Sequence, residues 1–161
     1  ALIAQGKPVL GVVVAPALQL TYLAAEGLGA FKVGADGQWQ PIQASMPPLA
    51  GRPWRVLGSR SHSDSRMAAW LEALGEHETQ PMGSSLKSCL IAEGKADVYP
   101  RFGPTSLWDT GAAQAIVEQA GGQVVTLDDQ PLSYDNPQQP LNSDFIVWGQ
   151  RTGEDCIETR K

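Results

Sequence analysis

Cysteine, histidine and positive charge are all scarce in this chain, and each shortage removes a class of protein. The 161 residues hold two cysteines, Cys89 and Cys156, and two histidines, His62 and His77. Two cysteines make no disulfide framework, so a reduced, cytosolic setting is expected. Two thiols with only two imidazoles beside them are a poor basis for a classical zinc site. Twelve Lys and Arg against seventeen Asp and Glu leave a net charge of −5. Nothing is then left over to neutralise a run of phosphates, which argues against a nucleic-acid polymer or an anionic membrane as partner. The longest strongly apolar stretch, residues 9–18, is about half of what a bilayer span requires. Attachment to the face of an inner membrane stays open, and the charge lends it no support. There is no Walker A motif, GxGxxG fingerprint, GxSxG elbow or HExxH. No basic segment precedes a hydrophobic run, so no secretory signal is expected.

What the chain does contain is a globular composition, 42% apolar and 18% charged, with 17 glycines and 12 prolines that predict many turns. It opens inside an apolar run, Ala1-Leu2-Ile3-Ala4, without an initiator methionine. The expectation is a longer protein entered part-way along a strand. An unpaired sheet edge and an exposed apolar surface are then expected near residues 9–14. Strands are predicted at 1–4, 9–15, 20–25, 27–32 and 39–43, with Asp36-Gly37 as a hairpin turn. These make an antiparallel meander over 1–50. Prolines 47, 48 and 53 mark the boundary.

From Trp54 the pattern alternates between strand and helix, which predicts an α/β layered domain over 51–149 followed by a polar tail at 150–161. The strands fall at 54–58, 79–82, 96–100, 123–126 and 145–148. The first helix, capped by Ser63 or Asp64, carries Met67, Trp70, Leu71 and Leu74 at i, i+3, i+4 and i+7. Gly75 stops it. Gly83-Ser84-Ser85 opens a second helix that Gly94 closes. A third starts at Asp109, with Ala113, Ile116, Val117 and Ala120 on one face and Gly121-Gly122 as its stop.

Chemistry is expected at the two later strand-to-helix transitions. Gly83-Ser84-Ser85 places small residues at a helix N-terminus whose N–H groups suit an anion, with Lys87 in the first turn. The plainer use is a serine cap beside a solvated lysine. Asp109 is either a helix cap or a carboxylate aimed at a hard cation. Arg101 sits in the loop region between them, where a guanidinium can grip a phosphate with two hydrogen bonds. Ser59-Arg60-Ser61-His62 is a polar loop after a strand. Cys89, between Leu86 and Leu90, reads as a buried structural thiol.

Several longer stretches carry a resemblance. Gly6-Lys7-Pro8 with Leu10-Gly11-Val12-Val13, followed by Ala24-Ala25-Glu26-Gly27-Leu28-Gly29-Ala30, resembles the middle of the inositol-monophosphatase-like superfamily of metal-dependent phosphatases. Trp108-Asp109-Thr110-Gly111-Ala112-Ala113 with Glu118-Gln119-Ala120-Gly121-Gly122 is similar to its C-terminal signature. Ser59-Arg60-Ser61-His62, Gly83-Ser84-Ser85-Leu86-Lys87 and Tyr99-Pro100-Arg101-Phe102-Gly103-Pro104-Thr105 look like the bacterial 3′(2′),5′-bisphosphate nucleotidase branch. The resemblance implies a layered αβαβα fold, here incomplete at its N-terminal side, with the strands of 1–50 completing a metal-binding domain whose remainder lies upstream. It also implies Mg²⁺-dependent removal of the 3′-phosphate from adenosine 3′,5′-bisphosphate, a step linked to sulfur assimilation. It makes Asp109 a metal ligand, and it makes Gly83, Ser84, Ser85, Lys87, Arg101, His62 and Asp109 the substrate contacts.

The family's other metal ligands come from a Glu-Glu pair and an Asp-Pro-x-Asp-Gly-Thr motif, and neither occurs in this sequence. Asp97, Glu93 and Glu118 form no spaced acidic cluster in their place. The chain is therefore expected to be the recognition portion of a nucleotidase, inactive by itself. Two other readings stand beside it: an inositol or sugar monophosphatase of the same superfamily, and a non-catalytic phosphonucleotide-binding module. Position 101 separates the first of these, since the inositol-type relatives tend to carry Glu there. Gly111, where Ala is usual, and Ser88, where an aromatic is usual, are smaller departures.

Overall fold

The structure, a computed structural model, describes residues 1–58 and 65–151. The first third forms one antiparallel sheet of β1 (Leu2–Ala4), β2 (Lys7–Ala15), β3 (Leu20–Ala25), β4 (Gly29–Val33) and β5 (Trp39–Ile42), paired in chain order. Period-two alternation sets its faces: along β3, Tyr22 and Ala24 are buried while their neighbours are partly exposed. A single 3-10 turn at Pro16–Leu18 ends β2, where proline removes the N–H that the ladder would need.

The remainder is β6 (Trp54–Gly58), α1 (Ser65–Leu74), β7 (His77–Pro81), α2 (Leu86–Ala92), β8 (Val98–Arg101), α3 (Leu107–Gln119), β9 (Gln123–Thr126) and β10 (Phe145–Trp148). Its sheet runs β7-β6-β8-β10-β9. Strand β6 is parallel to β7 and β8, whereas β10 is antiparallel to β8 and β9. Helix α1 covers one face, burying Trp70 among Val56, Val98, Val125, Ile146 and Trp148. The indoles of Trp70 and Trp148 lie 5.8 Å apart, within the range of favourable aromatic pairing.

The opposite face belongs to a larger core. Leu57, Cys89, Ile91, Ile116, Val117 and Val147 share it with Tyr22, Ala24 and Ala30 of the meander. Helices α2 and α3 are thus a layer between the two sheets, and the order is helix, sheet, helices, sheet. These are four consecutive layers of the expected αβαβα arrangement. On the outer face of the meander Leu10, Val12 and Val14 are 41%, 48% and 58% exposed. The expected unpaired edge is not there, because β2 lies between β1 and β3 and the edge strands are β1 and β5.

Close approach rather than side-chain volume joins β2 to α3. A Cβ on Gly11 would stand 2.1 Å from the Ala112 carbonyl oxygen, so only glycine fits. The proline-rich segment after β5 is tied in by charge. Arg55 donates through Nη2 to Asp97 Oδ1 at 2.6 Å and through Nε to Oδ2 at 3.0 Å, and Ser45 Oγ donates to Oδ1 at 2.8 Å. Burial raises the Asp97 pKa, but the Arg55 and Ser45 hydrogen bonds outweigh it and hold the group below its ordinary range. Glu93, at the C-terminal end of α2, accepts from Tyr22 Oη at 2.9 Å and Lys32 Nζ at 2.5 Å, clamping the helix layer onto the meander.

Several boundaries differ from the sequence expectation, among them β2, which starts at Lys7, and β4, which spans Gly29–Val33. Helix α3 begins at Leu107, two residues before Asp109, because Ser106 takes the N-cap position. Strand β8 starts at Val98 rather than residue 96, and β7 spans His77–Pro81. The caps expected at Ser63 or Asp64, and most of the tail, lie outside the described residues.

Candidate functional site

Parallel strands leave their carboxyl ends facing the helix that follows, and the crevice beyond those ends is where open α/β sheets place ligands. Here the segment after β7 leads into α2 and the segment after β8 leads into α3. Between them is a cleft of about 420 Å³ whose walls include Ser84, Ser85, Lys87, Arg101, Trp108 and Asp109. Residues from separate sequence motifs therefore meet in one place. Gly83 precedes the serines in the turn without lining the cleft. His62 and the Ser59-Arg60-Ser61 loop lie outside the described residues.

Lys87 is not the solvated lysine of the plainer reading. It is only 6% exposed, because the first turn of α2 is pressed between the sheets. Its Nζ donates to the carbonyls of Met82 and Ser84, each at 3.2 Å, and stands 4.7 Å over the Tyr99 ring. Burial lowers its pKa first, and the nearby Arg101 guanidinium lowers it further. Arg101 ends β8 and donates through Nη2 to the Pro104 carbonyl at 3.1 Å. Its Nε is buried without a hydrogen-bond partner among the described residues. Nor does either cation pair with a carboxylate among the described residues.

The expected N–H groups at the start of α2 are occupied by the chain itself. Ser84 adopts a left-handed backbone with φ 61°, and its Oγ accepts the Leu86 N–H at 3.3 Å. The N–H groups of Lys87 and Ser88 turn back to the carbonyls of Ser84 and Ser85. With seven residues in α2 the aligned dipole is also short. The positive character of the cleft comes from side chains, not from a helix end.

Asp109 occupies the third position of α3, where Oδ2 accepts the Ser106 N–H at 2.9 Å, the return half of a capping box. The carboxylate is thus a cap and a wall of the cleft together. It does not by itself make a metal centre: among the described residues no group of three or more His, Cys, Asp or Glu could hold an ion. Glu93 and Asp97 are committed to Lys32 and Arg55, and Glu118 faces Gln114.

Other residues that shape the site were not singled out from sequence. Asn142 Nδ2 donates to the Ser106 carbonyl at 2.9 Å, and the Leu107 N–H reaches the Pro140 carbonyl at 2.8 Å, so the chain after β9 straps the start of α3. The Tyr134 hydroxyl, 2.9 Å from Thr110 Oγ1, adds a second tie. Tyr99 was in plain view in the Tyr-Pro-Arg run, whereas Asn142, more than thirty positions along the chain, carries no local signal.

A model of the inositol monophosphatase family matches residues 1–157. The chain belongs to the inositol monophosphatase family. It is 50% identical over 149 residues to the 3′(2′),5′-bisphosphate nucleotidase CysQ of Salmonella typhimurium, a match covering 91% of this chain and 57% of that protein. The CysQ of Escherichia coli K12 is 47% identical over the same length. The chain thus spans little more than half the length of these relatives. The crystal structure of CysQ from Bacteroides thetaiotaomicron, described as a bacterial member of the family, superposes with a TM-score of 0.77 at 35% identity, covering 91% of this chain and 60% of that one. A staphylococcal IMPase-II shares the fold at 21% identity and a TM-score of 0.73. The layered α/β architecture is accordingly that of the inositol monophosphatases.

Proposed function

We propose that this family member is the substrate-recognition portion of a 3′(2′),5′-bisphosphate nucleotidase, a phosphatase that releases the 3′-phosphate of adenosine 3′,5′-bisphosphate to leave AMP. The observation that supports it is the pair of cations, Lys87 and Arg101, meeting in one cleft without a carboxylate partner among the described residues. Two like charges held together at the protein's expense fit a ligand of high negative charge density. A bisphosphate supplies that, while a monophosphate whose one phosphate sits at the reacting centre leaves this pair unanswered. Arg101 would grip the phosphate that stays, with Lys87 beside it and Ser84 and Ser85 at the rim. Asp109 would lend one carboxylate to Mg²⁺ in the whole protein, the other ligands coming from outside the described residues. A cytosolic place in sulfur metabolism belongs to the same reading, and the buried free thiol of Cys89 suits it. No helix among the described residues is long and apolar enough to cross a membrane.

The test is calorimetric binding of adenosine 3′,5′-bisphosphate and of AMP to the chain and to Arg101→Ala. A hydrogen-bonded charged group lost from the site costs about 1.5–3 kcal/mol, so bisphosphate affinity should fall at least tenfold while AMP binding stays nearly constant. Equal losses for both ligands, or none for either, would refute the assignment and favour a monophosphate substrate.

A further inference from the structure

We propose that Tyr99 is a positioning residue for this site: its ring face holds the Lys87 ammonium in the cleft before any anion arrives. The proposal rests on the bisphosphate reading and adds a residue to it. Tyr99 and Arg101 are two apart on β8, so their side chains project from the same face of the strand. That face is the one toward α2 and α3, where Tyr99 is 7% exposed and packs edge-on against Phe145 with centroids 6.3 Å apart. The ring is therefore fixed by the core. Lys87 Nζ lies 4.7 Å from its centroid, well inside cation–π range.

The need for such a device follows from the geometry. A buried ammonium loses most of its hydration, and the Met82 and Ser84 carbonyls take up two of its three protons. Arg101 lines the same cleft and repels it. Without the electron-rich ring face, the ammonium would gain by swinging out toward water, and the ligand would have to order it again on binding. The phenolic oxygen is not required for this, since the π face does the holding. Leucine removes the ring face and some packing volume together, so the state of the core must be read in the same variant, and the reactivity of Lys87 itself, not the affinity alone, reports the loss of the ring face.

Two measurements on the full chain decide it, both comparing Tyr99→Phe and Tyr99→Leu with wild type. In the first, affinity for adenosine 3′,5′-bisphosphate should stay within about twofold for Tyr99→Phe and fall about tenfold for Tyr99→Leu, the scale of a desolvated cation–π contact. In the second, which needs no ligand, acetic anhydride acetylation of Lys87 is followed by peptide mass spectrometry. Tyr99→Leu should react several-fold faster, and Tyr99→Phe at the wild-type rate. Cys89, fully buried in the same core, must stay protected from a thiol reagent in both variants, which shows that the fold is kept. Unchanged Lys87 reactivity in Tyr99→Leu with Cys89 protected would overturn the proposal, as would equal changes in the two variants. Loss of binding in Arg101→Ala without a Tyr99→Leu effect would leave the bisphosphate reading standing and remove only Tyr99. If wild-type chain binds no bisphosphate, that reading fails and the acetylation rates still judge the ring.

Discussion

Replacing Gly11 with alanine is the smallest change that strikes the joint between the meander and the helix layer. The added methyl would stand 2.1 Å from the Ala112 carbonyl oxygen and 3.0 Å from Ala112 Cα. Ordinary contact begins at 3.4 Å, so α3 must lift by roughly 1.3 Å or the strand must bend, and both partners are backbone. Overpacking of this kind costs about 1–3 kcal/mol. Removing a glycine from a strand returns roughly 0.5–1 kcal/mol through the unfolded chain. About 1 kcal/mol or a little more of net destabilisation therefore remains in the middle of the range, which for a chain of this size lowers Tm by about 3–5 °C. Gly111→Ala, on the same helix, is the matched control. Its methyl would meet Ala1 Cβ at 3.3 Å and Tyr134 Cε1 at 3.5 Å, side-chain contacts that need to give by no more than about a tenth of an ångström to reach the 3.4 Å of ordinary contact. Helix propensity then favours alanine by up to about 1 kcal/mol, and Tm should rise. Urea and thermal melts of the two variants supply the comparison. A Gly11→Ala chain as stable as wild type would mean that the contact between β2 and α3 is looser than described, and the reasoning would fail.

Asp97→Asn should cost about 2 kcal/mol, less than the scale for breaking a fully buried ion pair, since Asp97 is buried but the Arg55 left without its counter-charge keeps partial contact with water. The depressed Asp97 pKa means that the carboxylate's contribution is present above its unfolded value and is lost as pH falls through the lower folded value. The stability gap between wild type and variant should accordingly shrink on the acid side, and a gap independent of pH would refute the assignment. The chain alone should release no Mg²⁺-dependent phosphate from adenosine 3′,5′-bisphosphate, because Asp109 has no companion ligands among the described residues. Release that scales with added chain would show otherwise.

The elements were legible because their signals are local. The stripe Met67, Trp70, Leu71 and Leu74 marked α1, and Trp70 is indeed the residue it buries. Alternation and glycine turns marked the meander. The meeting of Lys87, Arg101 and Asp109 in one cleft was legible only through motif resemblance. What escaped notice depends on contacts between distant segments. Lys87 looked solvated because nothing near it in sequence shows that the first turn of α2 is enclosed. The start of α3 was misplaced because Ser106 and Asp109 share the cap, and an acidic residue at a helix start looks the same at N-cap and N3. Asn142 matters through hydrogen bonds to residues 105, 106 and 110, which no local window contains.

The packing of α3 on β2 also bears on how the chain matures on a ribosome. Strand β2 ends roughly ninety residues before α3 begins, yet the two pack more closely than a side chain would allow. During synthesis the inner face of the meander has no helix to cover it until those residues have been added. At 5–20 residues per second the wait is about 5–20 s, long beside the microseconds in which a hairpin closes. The meander thus passes through a period with its inner face uncovered by the helix layer, when chaperone capture or self-association competes with folding. Substitutions that weaken Gly11 packing would lengthen that period as well as loosen the finished fold, and their first effect in a cell would be on yield.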